Sequence, residues 1–68
     1  MEYTIEIINR VNGWVNIRIT LANKRLKKRV FRLSYCPSED RWARTLDYHT
    51  MQNRMIINFE ELKDAIAQ

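Results

Sequence analysis

Two runs of alternating residues, separated by an Asn-Gly pair, constrain this chain more than any other feature. Residues 2–9 read Glu-Tyr-Thr-Ile-Glu-Ile-Ile-Asn, and residues 14–21 read Trp-Val-Asn-Ile-Arg-Ile-Thr-Leu. A period of two sends successive side chains to opposite faces of a strand, and Asn-Gly between two such runs signals a hairpin. A two-residue turn with Val11 opposite Trp14 would put Ile5 and Ile7 on the face of Asn16 and Arg18, away from Val15, Ile17 and Ile19. A three-residue loop, Val11-Asn12-Gly13, avoids this if Gly13 takes the left-handed conformation, which costs glycine little. That register sets Tyr3, Ile5 and Ile7 against Leu21, Ile19 and Ile17, with Asn9 beside Val15. The opposite face then pairs Thr4 with Thr20, Glu6 with Arg18, Ile8 with Asn16, and Arg10 with Trp14, the last as a cation–π contact.

A second hairpin is expected over residues 29–48. Phe31, Leu33 and Tyr35 alternate with Arg32 and Ser34, and Pro37-Ser38-Glu39-Asp40 is a turn cluster. A four-residue loop sets Cys36 opposite Arg41, Tyr35 opposite Trp42, Leu33 opposite Arg44 and Phe31 opposite Leu46. The competing reading is a helix from Ser38 that aligns Trp42, Leu46 and His49. Residues 49–54 read as a polar connection and Met55-Ile56-Ile57 as a short last strand. Asn58 is an N-cap with Glu61 at capping-box spacing, and Phe59, Leu62 and Ile66 form one stripe with Ala65 beside it. The fold class is therefore α+β: an antiparallel sheet or partly closed barrel of 4–5 strands with a C-terminal helix, in a single domain over residues 1–68.

At 68 residues the chain has a limited core, so pairing with a second copy is one expected route to further burial. With the lone Cys36 it can form no internal disulfide. No leader-like segment or bilayer-length apolar run occurs, and the expected location is the cytoplasm.

The residue types that carry catalysis are scarce. A Cys-His pair would have to be Cys36 with His49, which lie at opposite ends of the strand pairing above. Zinc would have only those two residues and unspaced carboxylates as ligands. His49 with Arg44 and Asp47 is the one acid–base alternative, yet in a strand Arg44 points away from the other two. Gly13 is the only glycine, so there is no phosphate loop. A binding module without a metal or small-molecule cofactor is expected rather than an enzyme.

Charge supplies the functional lead. Residues 18–44 hold nine of the twelve basic side chains and only Glu39 and Asp40 as acids. Lys24, Arg25, Lys27, Lys28 and Arg29 crowd one connection, and Arg18 and Arg32 lie in the flanking strands. If those strands are antiparallel neighbours, the connection is the tip of a ribbon whose cations repel one another until a polyanion neutralises them. These seven residues are the expected contacts to a DNA or RNA backbone. Trp14, and with it Trp42 and Tyr48, are candidates to stack on an unpaired base. The alternative is a protein-binding or self-associating domain that uses Met51, Met55, Trp42 and Tyr48, or an exposed sheet edge. Leu26 alone is a poor apolar anchor, so no membrane partner is expected.

Overall fold

The computed structural model describes residues 2–54 and 57–67. Strands β1 (Tyr3–Val11), β2 (Trp14–Leu21), β3 (Val30–Cys36) and β4 (Arg41–Trp42) form an open antiparallel sheet in the order β1-β2-β3-β4. Helices α1 (Leu46–Arg54) and α2 (Phe59–Ala67) follow. The fold is α+β, with a sheet of four strands that does not close into a barrel.

The first hairpin satisfies both patterning constraints by a route other than a three-residue loop. Its turn is the two-residue one: Val11 faces Trp14, with Asn12 at φ 52° and Gly13 at φ 84°. Two successive left-handed residues match the twist of the flanking strands. Arg10 therefore faces Val15, not Trp14, and Asn9 faces Asn16. A β-bulge between Ile7 and Asn9 then shifts the register. From Ile7 back to Tyr3 the pairs are the expected ones: Ile7 with Ile17, Glu6 with Arg18, Ile5 with Ile19, Thr4 with Thr20 and Tyr3 with Leu21. The extra residue restores the apolar face that an unbroken two-residue hairpin would have lost. It also turns Arg10 to the helix side, where its guanidinium donates to the Ile66 carbonyl at the C-terminal end of α2.

The second hairpin begins as expected and stops early. Tyr35 faces Trp42 and Cys36 faces Arg41, across a turn that ends with Asp40 at φ 47°. After Trp42 the chain leaves the sheet, so Leu33 does not pair with Arg44 nor Phe31 with Leu46. Thr45 caps a helix instead: its Oγ1 accepts from the Tyr48 amide at 3.1 Å and its carbonyl from His49 at 3.1 Å. α1 thus begins later than the Ser38 alternative would have it. It turns Tyr48 and Met51 inward and leaves Leu46 79% exposed, and it replaces the whole of the polar connection expected over residues 49–54. Met55 and Ile56 of the expected last strand lie outside the described residues; Ile57 is buried outside any strand. Asn58 caps α2 as expected, its Oδ1 accepting from the Glu60 and Glu61 amides at 3.0 and 3.3 Å.

Both helices cover one face of the sheet. Val15, Ile17, Ile19 and Leu21 of β2 and Phe31, Leu33 and Tyr35 of β3 are buried against Tyr48, Met51, Leu62 and Ile66. An aromatic cluster joins the layers at the β4 end. Trp42 lies 4.5 Å from Tyr35, 5.1 Å from Phe59 and 6.2 Å from Tyr48, centroid to centroid. Trp42, Tyr48 and Met51 are therefore core residues rather than an interface or stacking platform. Beside them Asp40 accepts from the Tyr35 hydroxyl and pairs with Lys63 of α2 at 2.9 Å, tying the turn to the helix. The Tyr35 bond and then Lys63 hold the Asp40 carboxyl below its usual range.

Two substitutions check this architecture in urea unfolding. Leu62, which is fully buried, is expected to cost about 2–5 kcal/mol as Leu62→Ala. Gly13→Ala is expected to cost about 1–2 kcal/mol through backbone strain at positive φ, because nothing lies within 4 Å of the added methyl group.

Candidate polyanion-binding surface

The strand register answers what the sequence left open about the basic residues. Arg18 of β2 and Arg32 of β3 are direct cross-strand partners on the face opposite the helices. Like charges so placed repel. Glu6, across β1, forms an ion pair with Arg18, so the row Glu6–Arg18–Arg32 has one carboxylate for two guanidiniums. Next to it Asn9, Asn16 and Ser34 form a hydrogen-bonded row: Asn16 Nδ2 donates to Asn9 Oδ1 at 2.7 Å, and the Ser34 hydroxyl donates to Asn16 Oδ1. A shallow hollow beside Arg32 is lined by Ile8, Asn16, Ser34 and Thr45.

The other five basic residues lie in the connection between β2 and β3, which are antiparallel neighbours, so the connection is the tip of that strand pair, where the Leu21 N–H donates to the Arg29 carbonyl at 2.8 Å. Its first part turns on Asn23, whose Oδ1 accepts from the Arg25 amide at 3.0 Å and whose carbonyl accepts from the Leu26 amide at 3.4 Å. Leu26 packs against the core. Lys28 is drawn to α1, where its Nζ lies 2.6 Å from Asp47 Oδ1 and 5.3 Å from the Phe31 ring centroid.

Asp47 does more than neutralise Lys28. β4 covers only the end of β3, so the rest of that edge has unpaired backbone groups, which cost energy when buried and invite pairing when open. Asp47 Oδ2 accepts from the Arg32 amide at 2.9 Å, and the Ala43 amide donates to the Ser34 carbonyl at 2.9 Å. Partial burial opposes ionisation of Asp47, but the Arg32 amide and the Lys28 ammonium outweigh it and hold the carboxyl below its ordinary value.

The seven cations therefore divide. Arg18 and Lys28 have carboxylate partners. Lys24, Arg25, Lys27, Arg29 and Arg32 have none within 4.0 Å among the described residues. Lys24 and Arg29 share with Glu2 and Glu61 the rim of a depression at the Tyr3–Leu21 end of the sheet, where those acids temper the field. Arg25, Lys27 and Arg32 are exposed.

The remaining candidates do not converge. Trp14 stands at the opposite end of the open face, and its ring carries the Arg41 guanidinium at 5.3 Å rather than Arg10. Cys36 is buried beside Ser38 and Glu39. His49 is exposed and meets Tyr48 edge-on at 5.5 Å, Arg44 lies over the Tyr48 ring at 5.1 Å, and Asp47 is committed to Lys28 and Arg32. Among the described residues no three His, Cys, Asp or Glu side chains are placed to hold a metal, and no buried side-chain polar atom lacks a partner. No helix among them is long and apolar enough to cross a membrane. Comparison with protein-family models, with curated proteins and with solved structures yields no match.

Asp47→Asn is expected to lower stability at neutral pH by about 1 kcal/mol, the scale of one charge-assisted bond with a half-exposed ion pair. A carboxyl whose pKa is depressed by folding contributes stability above its unfolded value and loses it as pH falls through the folded one. Unfolding of the two proteins should therefore differ at pH 7 and converge below the ordinary carboxylate value of 3.8.

Proposed function

We propose that the chain is a small basic binding module that contacts a nucleic-acid backbone through the β2–β3 loop and the adjoining Arg18–Arg32 pair. The observation that carries this reading is that five cations grouped on the β2–β3 loop and the adjoining Arg32 have no carboxylate partner among the described residues. Clustered lysine and arginine side chains gain most from a ligand that presents several negative charges at regular spacing, because neutralising phosphates releases condensed counterions. Arginine suits this role through its forked donors.

The facing Arg18 and Arg32 add a local reason. One carboxylate for two guanidiniums leaves net repulsion across the strands, and an anion seated on Arg32 would relieve it. The hollow beside Arg32 offers room for part of a nucleotide next to such a phosphate. Leu26 packed on the core and Lys28 paired with Asp47 hold the loop to the body of the protein, which favours backbone contact along a surface over groove insertion. Trp14 is remote from the cluster and already engaged with Arg41, so base stacking forms no part of the reading.

The test is fluorescence anisotropy with labelled single-stranded DNA, duplex DNA and RNA at about 50 and about 200 mM salt. Four phosphate contacts imply weakening by roughly 50- to 150-fold between those conditions. Lys24→Glu, Arg25→Glu and Lys27→Glu combined should abolish binding and leave the melting temperature within a few degrees of the parent. Lys28 is left intact because its charge serves the fold through Asp47. Absence of binding to all three probes at the lower salt would overturn the proposal.

A further inference from the structure

We infer that β1 is a pairing edge for a second copy of this chain, joined antiparallel about a two-fold axis that lies midway between the Ile5 residues of the two copies. This inference is independent of the nucleic-acid reading. β1 is an outer strand of the sheet, and its burial pattern is the most exposed of the three long strands. The opposite edge is finished by β4, by Asp47 and by the Ala43 amide; β1 has no such cover among the described residues.

Backbone parity shows which groups are free. The Ala22 amide donates to the Glu2 carbonyl at 3.0 Å, so Glu2 turns its peptide groups toward β2. Antiparallel pairing alternates, so Thr4 and Glu6 also face β2, while Tyr3, Ile5 and Ile7 direct their N–H and C=O groups outward. The same three residues place their side chains on the helix side, where Tyr3 and Ile5 are half-buried and Ile7 is 40% exposed. Residues 3–7 contain none of the usual guards of an open edge, neither lysine nor proline nor bulge. Their one charge, Glu6, is paired with Arg18. The bulge begins just beyond, and so limits the pairing segment to residues 3–7.

Charge and length select the register. Outward-facing residues must meet outward-facing residues. Centring on Ile5 sets Ile5 against the partner's Ile5, Tyr3 against the partner's Ile7, and Thr4 against the partner's Glu6. Centring on Glu6 would oppose two carboxylates, which is unfavourable. Centring on Thr4 would leave Ile7 without a partner. The chosen register is self-complementary and covers Ile7 on both copies, which is the argument for a second copy over an unrelated strand. It yields one continuous eight-stranded sheet with all helices on one side and both arginine pairs on the other.

Sedimentation equilibrium over about 10 μM to about 1 mM, with amide hydrogen exchange at both ends of the range, tests the inference. The mass is expected to rise from one chain toward two. Exchange at the Ile5 and Ile7 amides should slow with concentration while the Thr4 and Glu6 amides stay protected throughout. Ile7→Lys, at an exposed position that the fold tolerates, should weaken association by at least about tenfold with an unchanged circular dichroism spectrum. A single-chain mass at the highest concentration would overturn the inference. So would a dimer in which Ile5 and Ile7 exchange as fast as in the dilute protein, or one that Ile7→Lys leaves intact. Slowing of those amides only on addition of a foreign strand peptide would also exclude the second copy as occupant.

Discussion

The contact of Trp42 with three other elements is what the small fold most depends on. β4 contributes only two residues to the sheet, too few to hold a strand by backbone pairing alone. Its indole meets Tyr35 of β3, Tyr48 of α1 and Phe59 of α2. Large aromatic rings bury much area at low entropic cost and gain from edge and offset contacts. That matters because α1 brings only Tyr48 and Met51 inward and would not form alone. The last strand residue thus serves as the anchor against which both helices are assembled.

Electrostatics complete what burial leaves loose. Asp47 reaches from α1 to the open side of β3 and collects the loop through Lys28. Asp40 and Lys63 do the corresponding work between the last turn and α2. Glu6, Asp40 and Asp47 are thereby drawn into holding elements together, and a cluster of cations without carboxylate partners is left on the β2–β3 loop and Arg32. The structural use of carboxylates and the availability of the cations are two sides of one arrangement.

Much of this was legible in the residues, and the misses have physical causes. Alternation alone specified which residues face which from Tyr3 to Ile7. The hairpin tip was misread because two devices, a longer loop or a bulge, both restore the apolar face; the adjacent Ile7 and Ile8, where the alternation breaks, mark the second. Asn58 was readable because capping is local. α1 was not, since its inward stripe is only Tyr48 and Met51 and its first apolar residue, Leu46, faces water; Thr45 was the available sign. The basic residues could be named, but not sorted into engaged and free. That sorting depends on Asp47 and Glu6 arriving from distant parts of the chain, which no local pattern encodes.

The bulge at Ile8 gives the first hairpin two independently phased halves. In the stretch before it, odd-numbered side chains look toward the helices; in the stretch after it, Arg10 does. Deleting Ile8 would therefore act like a frame shift in space: either the tip or the base must present its side chains to the wrong side, and Arg10 would lose the carbonyl at the end of α2. Substitutions at this position keep the phase and should be absorbed readily, whereas a change in residue number should not. Length, more than identity, is what selection would guard there.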